Sequence, residues 1–306
     1  MAPLKHFLGA AGLFLYLFCA CTHMPSGAGG RGEEGPLSLA GLEMDLWTDG
    51  EMLFVWGAIG GRKTRVIFSS VELGSTLSKN CVLGKRLGRV LLSEEGEREV
   101  ILLEGVELGG RRLGGTEVAL GGEWKPSGVS SSRVWRIKDG WVLEKDDTQC
   151  LWVVGVAQLG TQAMELWGGR LVFREAGFVA QGEQIRFAEH PRLGIPFGQF
   201  MALIHGRKIP LRLVLETGRW ASHLQRGVFS GQDVFLERLE WEALWLSLET
   251  VLPAGSFEFQ DSTRHKPWAD GGVGMKAFEC CRLVWSPGQA TATVQVFPAA
   301  PRPLSH

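Results

Sequence analysis

The chain has 306 residues, 45% hydrophobic and 21% charged, and 32 basic side chains against 33 acidic ones leave a formal charge of −1. That balance excludes a polybasic nucleic-acid binder and an acidic disordered tail, and the length suits two modest domains or one large all-β domain. The 42 glycines, spread without a collagen period, imply many tight turns.

At the N-terminus, Lys5 and His6 precede an apolar run from Phe7 to Phe18, followed by Cys19, Ala20 and Cys21. This is the charged-then-apolar pattern of a secretory signal. As a helix the run reaches about 18 Å, short of a bilayer core of about 30 Å, so it is not a stable span. The tetrapeptide Phe18-Cys19-Ala20-Cys21 resembles a bacterial lipobox, although Phe18 and Cys19 depart from its usual residues. The resemblance implies a lipid on Cys21, a signal over 1–21, a flexible tether over 22–39 and a body anchored on the periplasmic side of a bacterial cell envelope. The alternative is an ordinary secreted protein cut near the same place.

Four further cysteines remain, Cys81, Cys150, Cys280 and Cys281. An oxidising compartment permits a disulfide, and Cys81 with Cys150 is the pair to consider within one domain. The vicinal pair sits in an apolar stretch and reads as buried packing. Neither C-x-x-C nor H-E-x-x-H spacing occurs, so neither metal nor other cofactor is implied.

From about Leu39 onward, short alternating stretches are separated by glycine-containing breaks: Met52 to Trp56, Arg65 to Phe68, Val100 to Leu103, Thr116 to Leu120 and Arg133 to Ile137. This is strand-and-turn spacing. Helical periodicity is confined to Val156 to Met164 and Leu236 to Leu246. An all-β fold with a few short helices follows.

The sequence also repeats itself. Gly61-Arg62-Lys63 runs on through Arg65-Val66-Ile67-Phe68-Ser69-Ser70-Val71 to Ser75-Thr76-Leu77. After a two-residue insertion the pattern recurs from Gly206-Arg207-Lys208 through Arg212-Leu213-Val214-Leu215-Glu216-Thr217-Gly218 to Ser222-His223-Leu224. Likewise Val153-Val154-Gly155-Val156 corresponds to Gly272-Val273-Gly274-Met275, each followed by a strand and a glycine turn. Both segments keep their order, so the chain reads as two homologous lobes over 40–180 and 181–300, with a tail over 301–306.

Three apolar residues leading into Glu216-Thr217-Gly218, with Ala221-Ser222 after it, resemble the active-site loop of retropepsin-like aspartic peptidases. Gly272-Val273-Gly274 and Val153-Val154-Gly155 resemble that family's second motif, two apolar residues and a glycine opening a short helix. The resemblance implies two tandem retropepsin-like β-barrel lobes, each supplying one aspartate to a shared pair. Two carboxylates about 3 Å apart cannot both ionise, so one serves as base toward water and the other as acid.

This sequence departs from the pattern at that place. Ser69 stands at the first aspartate position, Val71 at its glycine, and Glu216 at the second aspartate position; no Asp-Thr-Gly or Asp-Ser-Gly triplet occurs. Ser70, Thr217 and Gly218 remain, and the resemblance implies that the Ser70 and Thr217 hydroxyls hydrogen-bond across the lobes. His205 and His223, opposite Gly60 and Thr76 in the repeat, read as surface or capping residues, and Trp220 as core. Two functions survive: a membrane-tethered protein that holds an extended peptide or protein in the cleft without cleavage, and a peptidase centred on Glu216. Neither involves nucleic acid.

Overall fold

Hairpins with two-residue loops organise both halves. In the computed structural model, which describes residues 37–72, 74–78, 85–93, 96–120, 131–133, 143–144, 150–178, 180–189, 195–225, 228–229, 232–241, 244–252, 260–261, 266–279, 281–287 and 291–296, strand Leu53–Ile59 pairs with Arg62–Phe68, and Pro196–Ile204 pairs with Arg207–Glu216. The first loop is Gly60-Gly61, with φ of 56° and 78°; the second is His205-Gly206, with φ of 49° and 71°. Left-handed backbone at both loop positions matches the twist of the flanking strands, which accounts for glycine at three of the four.

A strand from further along the chain then docks in parallel on the second strand of each hairpin. Leu151–Val154 places Val154 beside Phe68, and Gly271–Gly274 places Val273 beside Leu215. A two-residue strand pairs antiparallel to each docked strand, Thr76 against Val153 and His223 against Gly272. The registers therefore match the sequence repeat residue by residue. Beyond this shared unit the halves differ: Gly96–Leu103 and Lys85–Ser93 extend the first sheet past Thr76–Leu77, whereas Val234–Trp241 and Leu244–Leu252 extend the second past Pro196–Ile204.

A six-stranded sheet joins the halves. Its central pair is Ala163–Trp167 against Cys281–Trp285, with Met164 opposite Trp285, Glu165 opposite Val284 and Leu166 opposite Leu283. Glu165 and Val284 are equivalent positions of the two repeats, so exchanging the halves reproduces the pairing. A pseudo-twofold axis passes between them. One apolar core runs through both halves, with Trp152, Phe173, Phe200 and Phe278 almost fully buried. The architecture is the expected two-lobed, nearly all-β one.

Some local expectations need correction. The helical reading of Leu236 to Leu246 falls on strands Val234–Trp241 and Leu244–Leu252. A bulge between Leu236 and Arg238 buries Leu236 and Leu239 together, imitating helical spacing of three. The helix at Val156 lasts only to Leu159, and Ala163–Trp167 is a strand. The tether reading over 22–39 extends too far: Leu37 and Leu39 are buried, and their N–H groups donate to Gln158 O at 2.8 Å and Gln162 Oε1 at 2.7 Å. The signal over 1–21, Cys21, the rest of the tether, Asp147-Thr148-Gln149, and the tail lie outside the described residues. Cys150 is disulfide-bonded, Cys281 is buried, and Cys81 and Cys280 are outside the described residues.

Candidate functional site

The two repeated loops meet at the pseudo-twofold axis. Thr217 Oγ1 donates to Phe68 O at 2.8 Å, and Ser70 Oγ donates to Leu215 O, where Phe68 and Leu215 are equivalent. Thr217 N–H also donates to Ser70 Oγ at 3.1 Å. All of these groups are buried, so leaving one unmade costs about 1–3 kcal/mol. Gly218 makes the approach possible: a Cβ there would stand 2.5 Å from Ile67 Cγ2.

Each loop is braced from behind by a serine at the equivalent position of the repeat. Ser75 Oγ accepts from Gly155 N–H at 3.0 Å, and Ser222 Oγ accepts from Gly274 N–H at 3.0 Å. Both glycines lie against backbone, since a Cβ would meet Gly74 O at 2.4 Å in one case and Trp220 O at 2.5 Å in the other. Only glycine tolerates such contacts.

Ser69 and Glu216 both line one cavity of about 280 Å³, together with Ile67, Val71, Glu72 and Arg219. Ser69 Oγ accepts from the N–H groups of Val71 at 3.3 Å and Glu72 at 3.2 Å, a local turn motif. No carboxylate stands at that position, and no base contacts the hydroxyl among the hydrogen bonds of the described residues.

Glu216 is 3% exposed. Its Oε2 lies 3.3 Å from His223 Nδ1 and 3.7 Å from Arg219 Nε and has no hydrogen-bond partner. Burial pushes its carboxyl up to about 7; the Arg219 charge opposes this and the Glu72 charge adds to it. His223, 1% exposed, is moved the other way, to about 4, by burial and by Arg219. Arg219 Nη1 lies 3.2 Å from His223 Nδ1, and a guanidinium only donates, so Nδ1 accepts and the neutral imidazole carries its proton on Nε2. An ionised Glu216 would then face a lone pair. A protonated Glu216 has Nδ1 as an acceptor.

The longer acid fits because of Gly272. A Cβ on Gly272 would lie 2.5 Å from Glu216 Cδ and 2.7 Å from His223 Cε1. The equivalent residues of the first lobe are Val153, Ser69 and Thr76. The sequence reading of His223 as a surface or capping residue does not hold, for it is 1% exposed. It is a buried neighbour of Glu216, paired across strands with Gly272, a contact that the sequence repeat does not display. Trp220 is buried in the core, and His205 sits exposed at the hairpin tip.

No family model matches the chain, and no curated protein matches it. Among solved structures it is similar to the aspartic proteinase from Irpex lacteus, over 84% of this chain and 97% of that one, with a TM-score of 0.50 and 9% identity. The fold is that of an aspartic proteinase. At this identity the likeness speaks for the fold alone, and function rests on the side chains at the seam.

Proposed function

We propose that the protein is an aspartic-proteinase-like binding protein that holds an extended polypeptide in the cleft between its lobes without cleaving it. The observation that carries this reading is Ser69, whose hydroxyl is spent on capping its own loop where the paired mechanism needs a second acid. A proton shared between the two equivalent loop positions cannot be arranged when only one of them, Glu216, is a carboxylate. The cross-lobe hydrogen bonds and bracing serines keep the cleft's shape independent of that chemistry. Extended segments bind such clefts through backbone hydrogen bonds and side-chain pockets. We further propose that Cys21 is acylated and anchors the body to the envelope; a Cys21→Ser chain that still takes up labelled fatty acid would reject this.

A second reading, a peptidase using Glu216 alone as general base, is favoured by the raised proton affinity of Glu216 in the cleft. Incubating the full chain with an unstructured polypeptide from about pH 3 to about pH 8 separates the two. No cleavage is expected. Cleavage abolished by Glu216→Gln would establish the peptidase instead.

A further inference from the structure

We infer that the cleft selects a ligand carrying a positive charge on an apolar stem, a lysine or arginine side chain of the held polypeptide, with the Glu216 carboxylate as its counter-ion. This rests on the holding reading above and names what the cleft would recognise. Four observations converge on it. Aliphatic side chains, among them Met52, Ile67, Val153 and Ile195, make up much of the cavity wall, so an alkyl stem is desolvated there against matching surface. The acidic groups of the lining are Glu72 and Glu216, against the single cation Arg219. Arg219 is already shared, its Nη2 with Glu51 Oε1 at 3.2 Å and its Nη1 with His223 Nδ1 at 3.2 Å, and its Nε reaches Glu216 Oε2 only at 3.7 Å, too long for a hydrogen bond. Glu216, at 3% exposure in that wall, has a carboxylate oxygen with no hydrogen-bond partner.

A buried carboxylate without a strong partner is costly to ionise, and an arriving ammonium or guanidinium removes that cost. Binding should therefore be linked to pH. The groups facing Glu216 are Arg219, which favours its ionised form, Glu72, which disfavours it, and His223, whose Nδ1 offers no proton. A cationic ligand adds to the Arg219 side, so the complex forms with loss of the Glu216 proton, and affinity rises with pH through about 7.

The test measures binding of the full chain to four capped, extended peptides that differ at one central residue: lysine, arginine, norleucine or glutamate. Free n-pentylamine, the same cation on the same stem without a backbone, is a fifth probe. At about pH 8 the lysine and arginine peptides should bind at least about 10-fold more tightly than the norleucine peptide. That preference should shrink toward pH 5.5 or so and vanish in Glu216→Gln, whose lysine, arginine and norleucine affinities should become alike. A smaller loss, of about 2- to 3-fold, is expected in Glu72→Gln, whose side chain is exposed. Equal binding of all four peptides overturns the charge selection and leaves the holding function standing. Pentylamine binding without peptide binding overturns the holding function and leaves the cation site. Binding of none of the five probes overturns both.

Discussion

Val153 and Gly272 occupy equivalent positions in the two halves, each beside the short antiparallel strand, and only the glycine leaves room for an acid and an imidazole. The valine belongs with Ser69 and Thr76; the glycine belongs with Glu216 and His223. Side-chain volume has moved from the docked strand to the loop and the short strand. This makes the pair a set of coupled positions, testable as such.

Gly272→Val should destabilise the protein by about 1–3 kcal/mol, because its Cβ alone falls inside contact distance of both neighbours. Adding Glu216→Ser and His223→Thr, the first-lobe identities, should recover most of that loss. Urea denaturation of the single and triple variants measures the coupling. A triple variant no better than the single one would show that the two halves pack this corner differently despite their shared register.

Two of these three residues, Glu216 and His223, set a pH profile. Glu216 keeps its proton in the native state up to about 7, while the unfolded chain releases it near 4.5, so its contribution falls as pH rises across that window. His223 stays neutral in the native state down to about 4, while the unfolded chain protonates near 6.5, so its contribution falls as pH drops. Between 4.5 and 6.5 the slopes oppose one another. Stability of the parent chain should therefore change little there. Glu216→Gln should expose the histidine slope, rising with pH by on the order of 3 kcal/mol, and His223→Gln the opposite slope. Thermal unfolding across that range would show either parallel curves, which would refute the assignment, or the expected divergence.

The cross-lobe hydroxyls carry a mechanical prediction. Ser70→Ala removes the acceptor of Thr217 N–H and the donor to Leu215 O, leaving two buried groups unmatched. A loss of about 2–4 kcal/mol is expected, larger than that of Thr217→Ser, which keeps its oxygen on Phe68 O. Chemical denaturation of both variants gives the ranking, and equal losses would mean the hydroxyls do not join the lobes.

Turns, the hairpin repeat and the docked glycine motifs could be read in the sequence, because each depends on neighbours a few residues away. The departure at Ser69 was equally plain, since it is a substitution within a local pattern. The roles of Gly272 and His223 were not, because their contact with Glu216 exists only once strand Gly271–Gly274 takes its parallel register beside Arg207–Glu216. The hairpin after Val234 was misread as helix because a bulge produced the wrong period. Long-range register, rather than local propensity, separates what was legible from what was not.

His205 offers a local test of the turn argument. It is the non-glycine residue with positive φ among the described residues, in the loop whose counterpart is Gly60-Gly61. His205→Gly should raise stability by about 0.5–1 kcal/mol, and the β-branched His205→Val should lower it by more than about 1 kcal/mol. Thermal melts resolve these signs. A loss in the glycine variant would mean that the imidazole makes a contact worth more than the strain.

Glu165 provides the strongest electrostatic prediction, because it sits beside the pseudo-twofold axis and ties three strands together. Its Oε2 accepts from Arg174 Nε at 2.7 Å and its Oε1 from Arg282 Nε at 2.7 Å, one arginine from each neighbouring strand. Burial pushes the carboxyl up, but the hydrogen bonds from Arg282 and Arg174 and then their charges outweigh it and hold the group below its ordinary 4.5. A lowered carboxyl contributes stability that is present above 4.5 and lost as pH falls through the native value. Glu165→Gln, which leaves both guanidinium groups without their counter-charge, should cost about 1–2 kcal/mol near neutrality, since both arginines are partly solvated, and less in strong acid, where the parent carboxyl is also uncharged. The difference between the two unfolding curves should therefore close as pH falls below 4.5. A difference independent of pH would assign the loss to packing, and the arginines to solvent.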